Sequence, residues 1–301
     1  LVFLFKTMAI PFKAQAFRRI IKEFETEFPA PFIPTYVYSN HDRFRRYSVL
    51  DEDSQKAKLN TVFQLTVRGV PFIYYGEEIG MRQGKIKPKD TRDAVARHIG
   101  TLPAVKLKLL NRLTNGAVQR DGCRTPMQWD SSAHAGFSLP SSEPWMPLND
   151  DAVWVNTAEQ RGRSDSLYNS YKSLLKLRAE HAALRKGTIE LVPPQHLPKA
   201  VLGYTRTHED EELLILLNFS ARPQTLQDSL TSLFTGGPVL KTTRAPTSSS
   251  LDNSGTVDSS DSMADFLFSS TGERPHADLT EKHITLQPWE GLIILRRGSV
   301  L

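Results

Sequence analysis

Tyr36-Val37-Tyr38-Ser39-Asn40-His41-Asp42-Arg43 is the stretch on which the fold reading turns. Residues 34–38 form a short apolar run and read as a buried strand. The run stops at Asn40-His41-Asp42. Three polar groups at the end of a buried strand are costly to desolvate unless they are paired or functional. In a parallel α/β barrel, the carboxyl ends of the strands carry the active site. The same residues also suit a plain strand-to-helix turn capped by Asp42.

Upstream, residues 11–28 predict a helix. Pro11 suits its first turn, Phe17, Ile20, Ile21 and Phe24 share one face, and Pro29 and Pro31 end it. Residues 1–5 are apolar from the first position and read as a buried strand. They are far too short to span a membrane and lack the features of a signal peptide. The expectation is a chain that starts inside a domain.

Downstream, Asp53 and Ser54 are good helix caps, and Leu59, Val62, Phe63 and Thr66 give the helix a buried face. Gly69 suits its end. Residues 70–75 read as the next buried strand, closing on Gly76-Glu77-Glu78. Strand, helix, strand, helix, strand with short connections is the pattern of a parallel α/β unit. Glu77 and Glu78 are neighbours pointing to opposite faces, so they read as structural, one of them capping or hydrogen-bonding the following loop.

Residues 79–165 lose regular periodicity and read as one long ordered loop with a short helix at 102–113. A loop of that length is usually functional. Residues 166–186 form the clearest helix, ended by Gly187. Strand-like runs follow at 189–192, 201–205, 213–219, 239–242, 284–286 and 291–295, with a Ser-, Asp- and Thr-rich solvated loop at 247–270. The expected division is an α/β part over 1–187 and a small all-β part over 188–301.

The 301 residues are 39% hydrophobic and 24% charged, which fits a soluble globular chain. The net charge of +5 is spread along the sequence without a basic, aromatic-interleaved block, so no nucleic-acid partner is expected, nor a membrane. Cys123 is the only cysteine, which excludes an internal disulfide and fits a reducing, cytoplasmic location. His98, His134, His181 and His196 lack metal-ligand spacing, so no metal and no cofactor is expected.

Four stretches together resemble the α-amylase superfamily of glycoside hydrolases, in its α-glucosidase, oligo-1,6-glucosidase and trehalose-synthase branch. Tyr38-Ser39-Asn40-His41-Asp42-Arg43 is similar to the motif ending the seventh barrel strand. Gly69-Val70-Pro71-Phe72-Ile73-Tyr74-Tyr75-Gly76-Glu77-Glu78-Ile79-Gly80-Met81 resembles the eighth strand and its loop. Arg124-Thr125-Pro126-Met127-Gln128-Trp129 looks like a loop of this branch, and Leu286-Gln287-Pro288-Trp289-Glu290-Gly291 like the last strand of the family's C-terminal β-domain. The resemblance implies the C-terminal portion, about strands 6–8, of a (β/α)8 TIM barrel followed by a small β-sandwich.

It also implies roles. Asp42 would stabilise the oxocarbenium-like transition state by bonding sugar hydroxyls, with Asn40 and His41 as substrate-binding residues beside it, His41 on the same sugar, and Arg45 as a substrate-binding arginine. Contacts that strengthen only as positive charge develops lower the barrier. Arg120 and Arg124 either pair with carboxylates near the sugar or brace the loop. Trp129 and Trp145 either stack on a sugar face or pack the loop. Arg124 and Trp129 are carried forward as substrate-binding candidates.

Retaining hydrolysis needs two further carboxylates, about 5–5.5 Å apart. In the family these lie at the ends of the fourth and fifth strands. Neither the Asp-x-x-x-Asn-His nor the Gly-x-Arg-x-Asp motif of the family's third and fourth strands occurs in the chain. Arg92-Asp93-Ala94 resembles the second only faintly, has no strand before it, and is set aside. The expectation is a C-terminal fragment that acts on α-glucosidic bonds of short gluco-oligosaccharides only together with a missing N-terminal barrel half. Alternatives are a trehalose synthase fragment, a non-catalytic amylase-like accessory protein, or a carbohydrate-binding module.

Overall fold

The computed structural model describes residues 3–99, 103–114, 116–226, 233–234, 264–272 and 284–296. Among the described residues the first strand expected, at 1–5, does not form. Residues 1–2 lie outside the described residues, 3–4 are irregular, and Phe5–Ala9 is a 3-10 helix. Thr7 from that turn donates its hydroxyl to the Val37 carbonyl at 2.5 Å, so the segment lies beside the strand at 35–37 but contributes a side chain instead of a backbone ladder.

Helix α1 spans Ala14–Glu27 and buries Phe17, Ile20, Ile21 and Phe24, the face read from the sequence. Strand β1 is Thr35–Val37. After a short helix α2, Arg46–Val49, α3 runs over Ser54–Thr66. Its Asp53 cap accepts from the N–H groups of Gln55 and Lys56. Strand β2, Val70–Phe72, pairs with β1 in parallel, Tyr36 opposite Pro71. The α/β unit expected from the sequence is therefore present with two ladder-forming strands and shorter bounds.

The stretch 79–165 is mostly irregular but carries three short helices: α4 (Ala94–Ile99), α5 (Ala104–Leu113) and α6 (Thr157–Arg161). The long helix predicted at 166–186 divides at His181 into α7, Leu167–Glu180, and α8, Ala182–Lys186. His181 has extended backbone there and pairs with Glu211 of the sheet.

Strands β3 (Thr188–Leu191), β4 (Val201–His208), β5 (Glu211–Asn218), β7 (Ala264–Ser269) and β9 (Gly291–Arg296) form one antiparallel sheet in the order β3-β4-β5-β9-β7. Strands β6 (Gln224–Thr225) and β8 (Thr285–Leu286) make a small second sheet. Strand β7 corrects the sequence reading, which placed residues 264–269 in a solvated loop. Its Phe266 and Phe268 pair against β9, a cross-strand partner that composition could not reveal. The strand predicted at 239–242 and the loop at 247–263 lie outside the described residues.

Period-two alternation gives the large sheet two apolar faces. Leu213, Ile215, Leu217 and Ile293 join a core shared with α1, α3 and α7, whereas Leu214, Leu216, Leu292 and Ile294 pack with Leu286 of the small sheet and with Leu226, just after its first strand. Helix α3 is buried from Ala57 to Thr66 because it lies between α7 and the sheet. At Gly291 a Cβ would come within 2.9 Å of the Val62 side chain, so the β9 backbone packs directly on that α3 side chain. Two arginines satisfy buried carbonyls at the carboxyl end of α3: Arg178 donates to Leu65, and Arg206 to Thr66.

Candidate active site

Residues 39–42 leave β1 as a tight turn. The Asn40 Oδ1 accepts from the Asp42 N–H at 2.9 Å, an Asx turn that aims the Asp42 side chain. Asp42 Oδ1 accepts from two guanidinium groups, Arg124 Nη2 at 2.9 Å and Arg120 Nη1 at 3.1 Å. His41 Nε2 lies 3.3 Å from Asp42 Oδ2. Arg124 Nε also donates to the His41 carbonyl at 2.8 Å. The Asp42 side chain still keeps 36% of its surface exposed.

Arg120 is held from behind by Asp93. Asp93 Oδ2 accepts from the Arg120 N–H at 3.0 Å and Nε at 2.8 Å, and Oδ1 accepts from Nη2 at 2.8 Å. The Arg120 hydrogen bonds hold the Asp93 carboxyl far below the usual range, and Asp93 holds the guanidinium firmly charged. Behind Asp93, the buried Asp121 Oδ2 accepts from the N–H groups of Arg92 and Asp93 at 2.8 and 2.9 Å. Asp121, Asp93, Arg120 and Asp42 thus form one chain of contacts, of which Asp42 is the open end.

The pairing that the sequence left open is resolved for both arginines: each reaches Asp42, and each also braces the loop that carries it. Asp93 and Asp121 were missed. Their partners lie 27 to 29 residues away in sequence, and no periodic or motif signal links groups at that separation.

Glu77 ties the two strand ends together. It accepts from the Ser39 hydroxyl after β1, and its Oε2 accepts from the Tyr74 N–H after β2 at 3.2 Å. Burial pushes its carboxyl up to about 7 despite these donors. Glu77 has a structural place, but its side-chain partners precede it, where the sequence reading expected a bond to the following loop.

Arg45 is only 1% exposed. Its guanidinium lies 4.6 Å from the Tyr75 ring centre and donates to the Tyr75 carbonyl at 2.7 Å. The expected contact between Arg45 and a sugar therefore finds no support in its placement. Trp129 is 50% exposed and shares no hydrogen bond with residues 40–42 among the described contacts. Trp145 lines an open cavity of about 590 Å³ with Arg92 and Arg97, apart from residues 40–42.

Among the carboxylates of this cluster, Asp93, Asp121 and Glu77 are buried, and only Asp42 is open. A fixed carboxylate flanked by an imidazole and two guanidiniums accepts hydroxyl donors and favours neighbouring positive charge. Among the described residues no group of three or more His, Cys, Asp or Glu side chains is placed to hold a metal ion. No described helix is long and apolar enough to cross a membrane.

Residues 4–187 match the family model described as the α-amylase catalytic domain. The oligo-1,6-glucosidase of Heyndrickxia coagulans is 32% identical over 220 residues, covering 70% of this chain and 39% of that enzyme. The α-glucosidase of Apis mellifera is 31% identical over 209 residues, covering 69% of this chain and 34% of that one. The crystal structure of the trehalulose synthase MutB from Pseudomonas mesoacidophila MX-45 superposes with a TM-score of 0.71 at 27% identity, covering 97% of this chain and 48% of MutB. The chain thus spans less than half the length of each of these relatives.

Proposed function

The chain belongs to the α-amylase family, and from that premise we propose that it supplies part of a retaining glycosidase site for α-glucosidic bonds of short gluco-oligosaccharides or disaccharides. The observation that carries the reading is the Asp42 carboxylate, open to solvent at the end of β1 and fixed by Arg120 and Arg124. In this reading β1 and β2 are the seventh and eighth barrel strands, residues 1–187 belong to the barrel, and residues 188–301 form the C-terminal β-domain.

Asp42 accepts hydroxyls of the sugar at the reacting centre, where its charge counts most as the ring becomes oxocarbenium-like. Asn40 sets the turn, His41 contacts the same sugar, Arg124 aligns the carboxylate, and Trp129 offers an exposed aromatic face. Asp93 and Arg120 are positioning residues. Arg45 supports the Tyr74-Tyr75 segment without touching sugar.

The nucleophile and general acid are not recognisable in these 301 residues, so the chain by itself is expected to be inactive. Partner surface for further barrel strands is available at Phe3, Phe5 and Ile73, exposed beside the two strands. A release assay with maltose, isomaltose and an aryl α-glucoside tests this. No product above blank is expected. Turnover that disappears on Asp42→Ala would show a complete site within these residues. The similarity to MutB, named a trehalulose synthase, favours sugar isomerisation as the second reading.

A further inference from the structure

Arg46 opens α2 and is only 3% exposed. The rings of Tyr38 and Phe12 lie against its guanidinium, their centres 4.7 and 5.9 Å away, and Nε donates to Asn60 Oδ1 at 3.0 Å. Nη1 and Nη2 are buried and bond to nothing among the described residues. Arg46 borders a cavity of about 20 Å³ between α2, α3 and α7, lined also by Asn60, Thr61, Glu77, Leu167 and Tyr171. Buried charges are ordinarily paired and buried donors ordinarily bonded. The Nη edge of Arg46 meets neither condition, beside a space that no side chain fills.

The rest of the wall narrows what belongs there. Thr61 donates its hydroxyl to the Ala57 carbonyl, and Tyr171 donates to Gln64 Oε1. Glu77 already accepts from the Ser39 hydroxyl and the Tyr74 N–H. Burial pushes its carboxyl up to about 7, so at pH 6 it carries little charge to oppose an anion. Burial pushes the Arg46 guanidinium down to about 10, which leaves it charged at that pH. Its Nη groups only donate, so they need an acceptor. A water molecule would accept from them but leave the buried charge uncompensated. The space is about that of one water-sized sphere. Phosphate, sulfate and carboxylates are too large for it, whereas a single halide ion fits. We propose that this cavity is a binding site for one chloride-sized monovalent anion, held by Nη1 and Nη2 of Arg46. The site does not rest on the reading of Asp42, whose carboxylate is fixed by other arginines.

Thermal unfolding of the 301-residue chain at pH 6 and constant ionic strength tests it, with methanesulfonate exchanged stepwise for chloride. The midpoint is expected to rise by about 2–4 °C once chloride is in tenfold excess over its dissociation constant. Arg46→Met keeps the length of the side chain, removes the donors, and should abolish the rise. Because Arg46 is buried, a crystal of the unaltered chain grown in bromide gives a reading that does not depend on the variant folding. An anomalous peak beside Nη1 and Nη2 is expected there. A midpoint indifferent to chloride, a rise kept in full by Arg46→Met, or water alone beside Arg46 in bromide would each overturn the proposal.

Discussion

At Asp42, two guanidinium groups meet one carboxylate oxygen, and the geometry of that oxygen depends on residues far along the chain. Asp93 is the clearest of them, because it accepts three hydrogen bonds from Arg120 while buried. Asp93→Asn is expected to cost about 2–4 kcal/mol of stability, read as a lower urea midpoint at pH 7. The native carboxyl titrates below its unfolded value, so its stabilisation is present above about pH 4 and is lost as pH falls toward the native value. The midpoints of the two proteins should therefore converge in acid. Glu77 behaves oppositely. Its native carboxyl titrates at about 7, above the unfolded value near 4.3, so the native state holds a proton that the unfolded chain has released. Stability should fall as pH rises from about 4.5 to 7. Glu77→Gln should raise the urea midpoint at pH 8 and change it little at pH 5; a loss at both pH values would contradict this account of Glu77. The polar tip of the strand, Asn40-His41-Asp42, was legible from the abrupt end of an apolar run. The burial of Arg45 was not, because an arginine stacked beneath two tyrosines looks in sequence like any loop arginine.

The elements that place this tip were largely visible in the pattern of apolar residues. Helices α1, α3 and α7 declared themselves through spacing and caps, with Asp53 and Ser166 both accepting from helix N–H groups as cap residues do. Elements that depend on a distant partner were not visible. The segment 5–9 became a 3-10 turn serving β1 through Thr7, and β7 exists because β9 offers a ladder. Contact between α3 and the sheet is likewise non-local, and Gly291 is a close point in it. A Cβ there would meet Val62 at 2.9 Å. Gly291→Ala is expected to cost about 1–3 kcal/mol through overpacking, measured as a lower thermal midpoint, whereas paired Gly291→Ala and Val62→Ala should recover part of the loss.

At the scale of the molecule, one apolar core joins α1, α3, α7 and the five-stranded sheet, so the α/β part and the β part are fixed to each other. The strand pair β1–β2 sits at the border of that body with Phe3, Phe5, Phe32 and Ile73 exposed. Exposed apolar groups beside parallel strands fit a surface that other strands cover. The central claim, that this segment carries a working transition-state carboxylate, is tested most directly in a relative of full length. Residues 4–187 would replace the matching segment of the Heyndrickxia coagulans oligo-1,6-glucosidase, and isomaltose hydrolysis would be measured with and without Asp42→Asn. The account predicts activity in the hybrid that falls about 10²–10³-fold on Asp42→Asn. An active hybrid whose rate is indifferent to residue 42 would contradict it.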